Sequence, residues 1–145
     1  FFTGDPLADF PQSALQDLAG DCRNAVDRTL ERFGKIDILF NNAGVLISGY
    51  SWERPIADWQ WILNINLMGV IHGLHSFVPR MLAQKTPGHI VNTASLAGLL
   101  SSPLMGPYSV SKQAVVSLSE TLHYELESIG AQLNTSVLCP GPVAT

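Results

Sequence analysis

Tyr108-Ser-Val-Ser-Lys112 places a phenol and an ammonium four residues apart, directly before the apolar-periodic run from Ala114 to Leu126. On a helix that spacing stacks both groups on one face, one turn apart. A phenol has a reference pKa of about 10 and is a poor base near neutrality, but a fixed cation within a few ångströms favours the phenolate. Tyr108 could then pass a proton to or from an alcohol or carbonyl oxygen. The alternative is a helix-surface lysine beside a half-buried tyrosine, and the rest of the chain must choose between the two.

Three further groups invite a chemical reading. Asn41-Asn42-Ala43-Gly44 ends a short apolar run. Its small residues would let a flat ligand approach the backbone, while the amides could bridge neighbouring strand ends or meet that ligand. Asn66 interrupts Ile65, Leu67 and Met68 and must find hydrogen bonds, so it is either a structural bridge or part of a site. Ser95 opens a loop carrying Leu96, Leu99, Leu100, Leu104 and Met105, which is apolar enough to cover something greasy. His72 and His75 have no further ligand at metal spacing, so no metal is expected.

The elements that must position these groups follow from periodicity. Residues 1–12 carry two prolines and a glycine and are expected to be irregular. From Ser13, apolar residues including Cys22, Val26, Leu30 and Phe33 mark an amphipathic helix stopped by Gly34. Residues 36–41 predict a strand buried on both faces. Residues 57–84 predict one long helix with an apolar face of Trp59, Ile62, Val70, Leu74 and Met81, kinked near Pro79. Residues 89–94 predict a second strand, a helix runs from near Tyr108 to near Gly130, and residues 133–139 predict a third strand before Pro140. Helix and strand alternate, so the expected class is α/β: a Rossmann-like three-layer fold, a parallel sheet with helices on both faces, in a single domain over 1–145. Ligands of such sheets bind beyond the carboxyl ends of the strands. Asn41 to Gly44, Ser95, the loop before Tyr108 and residues 140–145 all fall at that edge.

The 145 residues suffice for one domain; 46% are hydrophobic, 14% charged, and the net charge is −4. No basic patch points to nucleic acid. The longest nearly uncharged stretch is broken by Gly98, Pro103, Gly106 and Pro107, so no membrane span is expected. No signal peptide is seen, and Cys22 and Cys139 read as reduced core residues, which fits a cytoplasmic protein.

Taken together, the motifs resemble the short-chain dehydrogenase/reductase family in its compact branch, over about residues 21–145. The match comprises Asn41-Asn42-Ala43-Gly44, Asn66, Ser95, Tyr108-x-x-x-Lys112 thirteen residues after Ser95, and Pro140-Gly141-x-Val143-x-Thr145. The resemblance implies an NAD- or NADP-dependent oxidoreductase interconverting a secondary alcohol and a ketone, with Tyr108 as general acid/base. Lys112 would support the phenolate and hold the nicotinamide ribose, Ser95 would bond the substrate oxygen, and Asn66 would anchor a water extending the proton relay. Asn42, Ala43 and Gly44 would lie beside the adenosine; Pro140, Gly141, Val143 and Thr145 would shape the nicotinamide pocket. The loop 96–105 together with Ile47, Tyr50 and Trp52 suggests a bulky hydrophobic substrate. The family also implies a homodimer or homotetramer formed through the helices of residues 57–84 and 108–129.

Departures from the pattern matter as well. No glycine-rich phosphate turn can be written, since Gly4 is the only glycine before Gly20, and Asp17-Leu18 is at most a remnant of the segment after the family's third strand. The expectation is an incomplete segment of a longer protein. A non-catalytic binding protein on the same fold is the alternative.

Overall fold

The computed structural model describes residues 18–142. The expected irregular start, the helix onset at Ser13, Asp17, Val143 and Thr145 lie outside the described residues. Helix α1 spans Leu18–Phe33 and is followed by strand β1, Ile38–Asn41. Gly34 closes α1 as expected, in the left-handed region at φ 72 with its N–H on the Leu30 carbonyl. Helix α2, Ile56–Leu63, passes into a π-turn at Asn64–Met68 and on into α3, Gly69–Ala83. Strand β2 is Gly88–Thr93, helix α4 is Gly106–Ser128 and strand β3 is Leu133–Leu138.

The three strands are parallel in the order β1-β2-β3, with Leu39 opposite Ile90 and Ile90 opposite Thr135. Asn41 and Asn92 share the face of Leu39 and Ile90, because side chains alternate along a strand. Asn41 lies directly under Gly73 of α3, and Asn92 bonds Ser119 of α4. Both helices therefore cover the same face. Val26 of α1 joins them in one core cluster with Leu39, Val70, Leu74, Met81, Ile90, Val115, Leu122, Leu126 and Leu133. Burying each such side chain contributes roughly 1.5–3 kcal/mol, which makes this layer the main source of cohesion.

On the opposite face β1 is open among the described residues, while Val91 of the central strand is buried between its neighbours. Ile38 is 57% and Phe40 62% exposed, so within this partial chain only one side of the first strand is covered. Of the apolar run Ile38-Leu-Phe, Leu39 is the residue that joins the helix-covered core. A second helical layer has no counterpart among the described residues.

The long helix also differs from its expectation. Helix α3 continues past Pro79 to Ala83, and ahead of it lies a π-turn around Asn66 that periodicity does not predict. By length and composition Ile56–Ala83 could cross a membrane. In this fold, however, it packs on α1, α4 and β1, and its apolar face supplies Val70, Leu74 and Met81 to the core. At its carboxyl end Gln84 clamps both backbone groups of Ile36, at 2.7 and 2.9 Å, and so fixes where the chain enters β1.

Candidate active site

Helix α4 begins two residues before Tyr108, at Gly106, with Pro107 in the first turn, where its missing N–H and preset φ cost nothing. Tyr108 is half-buried, and Lys112 follows one turn later with only 3% of its surface exposed. The Lys112 ammonium stands 5.9 Å from the centre of the Tyr108 ring and donates to the Thr93 carbonyl at the end of β2, over 2.9 Å. Burial pushes the Lys112 ammonium below its ordinary value. Among the described residues its charge is held by the Thr93 carbonyl and by no carboxylate, which leaves its remaining donors for other acceptors.

Ser95 ends the β2 segment and caps the short 3₁₀ turn Leu96–Gly98, its Oγ accepting from the Ala97 N–H at 3.2 Å. The Leu96 N–H donates to the Pro140 carbonyl at 2.9 Å, drawing the loops after β2 and β3 together. A cavity of about 600 Å³ opens at this edge of the sheet, and Ser95, Tyr108, Lys112, Asn42, Gly44, Pro140 and Gly141 all line it. Ala43 is exposed and is not in that lining, so of the four-residue motif only Asn42 and Gly44 reach the cavity.

The two asparagines have separate tasks. Asn41 bridges strand ends through Asn92 at 2.9 Å, whereas Asn42 faces the cavity. Gly44 matters by its bareness: a Cβ there would stand 3.2 Å from the Lys112 ammonium and 3.5 Å from Asn66 Oδ1.

Asn66 lies behind the cavity, fully buried in the π-turn. Its Oδ1 accepts from the Val45 N–H at 2.7 Å; its Nδ2 donates to the Val45 carbonyl at 2.9 Å and to Ser111 Oγ at 3.0 Å. Of the two roles left open by the sequence, the side chain performs the bridging one. Sequence reasoning passed over Ser111, because a serine inside a helix carries no signal of its own.

The apolar wall also differs from its expectation. Leu46 lines the cavity, together with Leu96, Ala97, Leu100 and Met105. Ile47 instead is buried, and Tyr50 and Trp52 stack on each other at 4.9 Å outside the lining. Strand-like alternation in this loop turned the neighbour of the expected residue inward. The loop is held by a parallel bridge of Gly49 to Met105, with the Gly49 N–H on the Leu104 carbonyl at 2.8 Å. Among the described residues no cluster of His, Cys, Asp or Glu could hold a metal.

Ser95, Tyr108 and Lys112 thus meet at the carboxyl edge of a parallel sheet. The family model described as short chain dehydrogenase matches residues 12–145. The chain belongs to the short-chain dehydrogenase family. Among curated members it is 43% identical over 122 residues to a CLA biosynthesis dehydrogenase/reductase of Lactiplantibacillus plantarum, covering 84% of this chain and 43% of that protein. It is 41% identical over 120 residues to a C alpha-dehydrogenase of a Sphingobium species, covering 82% of this chain and 39% of that one. A short-chain dehydrogenase/reductase from Burkholderia phymatum, solved in complex with NAD, superposes with a TM-score of 0.85 at 50% identity, over 86% of this chain and 44% of that chain. The chain thus spans less than half the length of these short-chain dehydrogenases.

Proposed function

We propose that the protein to which this chain belongs is an NAD- or NADP-dependent oxidoreductase that interconverts a secondary alcohol and a ketone on a bulky hydrophobic substrate. The observation that carries the reading is the convergence of Ser95, Tyr108 and Lys112 on one cavity. The relative solved with NAD and the dehydrogenase names of the curated relatives support it. Residues 1–145 form part of a single dinucleotide-binding domain in this reading.

The residues present fit a nicotinamide dinucleotide. Gly44 leaves open the space above the Lys112 ammonium that a Cβ would fill, and the ammonium has donors to spare. Lys112, Asn42, Gly44, Pro140 and Gly141 would hold the cofactor, and so would Ala43, Val143 and Thr145 if the family pattern extends to them. When bound, the cofactor supplies or accepts the hydride. Tyr108 gives its phenolic proton to the carbonyl oxygen in reduction, or takes the hydroxyl proton in oxidation. Ser95 Oγ hydrogen-bonds the same oxygen and fixes its position. Lys112 supports the phenolate by its charge, and Asn66 holds the relay behind it, its side chain bound to Val45 and Ser111. Leu46, Leu96, Leu100 and Met105 exclude water from the reacting carbon and receive the substrate's apolar part.

Association into a homodimer or homotetramer is part of the proposal. An apolar groove between α3 and α4, with Ile71, Leu74, Val78, Leu118 and Leu122 on its walls, supports it. The free thiols of Cys22 and Cys139 fit the cytoplasm.

The test is oxidation of NADH and of NADPH by the full-length protein against a panel of hydrophobic ketones, with Tyr108→Phe alongside. Turnover in the parent and a loss of about 10²–10⁴-fold in the variant are expected. A parent that neither binds nor oxidises either cofactor would instead be a non-catalytic binding protein.

A further inference from the structure

Ser111 sits between the two residues of the proton-transfer pair in sequence, yet it faces away from the cavity and is fully buried. Its Oγ donates to the Tyr108 carbonyl at 2.7 Å and accepts from Asn66 Nδ2 at 3.0 Å. Asn66 in turn holds both backbone groups of Val45, the residue after Gly44. A continuous polar chain therefore runs from the strand-end loop at Val45, through the π-turn at Asn66, to the backbone of Tyr108. Ser111 carries it onto α4, and it reaches the helix at the carbonyl of the residue whose phenol must be aimed.

The neighbouring chemistry makes that step specific. Val45 already fixes which way round the Asn66 amide lies, because its N–H needs the amide oxygen and its carbonyl needs the amide hydrogen. The second amide hydrogen then has Ser111 Oγ as its acceptor. The serine's own hydrogen must point elsewhere, and the Tyr108 carbonyl takes it. We propose that Ser111 is a positioning residue that locks the first turn of α4 to Asn66 and so sets the aim of Tyr108 at the substrate oxygen. The proposal rests on the reading of Tyr108 as the acid/base.

Loss of the Ser111 hydroxyl strands a buried amide hydrogen and frees the turn that carries Tyr108. Misplacement of a group that acts in the transition state lowers kcat, while ground-state binding by the cavity walls is kept. The nearby Ser109 supplies the control. It is also buried on α4, but its Oγ has no hydrogen-bond partner among the described residues.

The experiment compares Ser111→Ala, Ser109→Ala and Tyr108→Phe in the full-length protein by steady-state kinetics, with circular dichroism to show that each is folded. For Ser111→Ala, kcat is expected to fall about 10-fold or more, as for a misplacement of a fraction of an ångström, with KM within about twofold. Ser109→Ala is expected to match the parent. If Ser111→Ala does not fold, Ser111→Cys keeps the volume with a weaker donor, and an intermediate loss of kcat supports the proposal. Parent-like kcat in the folded Ser111 variant overturns it, as does an equal loss in Ser109→Ala. In both cases an active parent and an inactive Tyr108→Phe leave the functional reading standing. A parent without turnover overturns the two together.

Discussion

Asn41 and Asn92 meet at the carboxyl ends of neighbouring parallel strands, Nδ2 of the first donating to Oδ1 of the second over 2.9 Å. The chain continues from Asn92 Nδ2 to Ser119 Oγ at 2.9 Å and from Ser119 Oγ to the Val115 carbonyl at 2.7 Å. These bonds tie two strands to α4 in a buried layer, where each unsatisfied group costs about 1–3 kcal/mol. Space for Asn41 exists because residue 73 has no side chain; a Cβ there would collide with the Asn41 amide. Gly73→Ala is therefore expected to lower stability by about 1–3 kcal/mol. Urea unfolding checks this, and a double-mutant cycle with Asn41→Ala should show strong non-additivity. An unshifted midpoint in Gly73→Ala contradicts the close approach.

Gly44→Ala should separate activity from stability. The new methyl would press on the Lys112 ammonium at 3.2 Å, while the residue itself is exposed and its loss of flexibility is harmless to the core. A fall of about 10- to 100-fold in kcat/KM is expected, with the unfolding midpoint nearly unchanged. Kinetics and melting on the same preparation decide the matter.

Lys112 carries a pH signature. Burial depresses its value in the fold below the 10.5 of the free side chain. Within the window between those values the unfolded chain binds more protons, so stability rises with pH. Below the window the lysine is charged in both states, and its burial weighs fully against folding. Lys112→Met should therefore be more stable than the parent at neutral pH, with an advantage that shrinks as pH approaches 10.5, and should lack turnover. Urea midpoints from pH 7 to 10 test this; an advantage that grows with pH would contradict the sign.

The loop after Gly44 offers a compensation test. A Cβ at Gly106 would collide with Ser51 Oγ, and the Gly49 to Met105 bridge lies beside that contact. Gly106→Ala should displace the loop bearing Leu46 and raise KM for the substrate several-fold, and Ser51→Gly in the same chain should restore it. A double variant no better than the single one would show that the contact does not shape the cavity.

Much of this arrangement was legible in the residues. Short apolar runs and period-3.6 patterns gave the order of helices and strands, and Tyr108, Lys112 and Ser95 do share a cavity. The π-turn was not legible, because Asn64 to Met68 keeps an apolar composition that an ordinary helix would also show. The exposure of Phe40 was hidden for a related reason. Apolar character says that a strand can be buried, but which neighbour covers it is set by packing far along the chain. Leu46 replaced Ile47 at the cavity because a one-residue phase in an extended loop exchanges inside for outside. Ser111 was invisible, since its importance lies in partners 45 residues away and in the backbone of its own helix.

The π-turn makes residue count itself a constraint. One residue more than an α-helix needs is accommodated between Asn64 and Met68. Deleting one of them would restore regular winding and leave α2 nearly in its present phase relative to α3, whereas deleting a residue within α2 itself would turn everything before it by about 100° about the helix axis. With a deletion in the turn, Asp58 and Ile62 of α2 would therefore stay on the buried side, and the loss would fall on Asn66 and its bonds to Val45 and Ser111. A one-residue gap placed at this turn when homologous sequences are aligned thus keeps both helix faces in phase, as does one in the exposed stretch at Tyr50 to Glu53, which lies outside any helix.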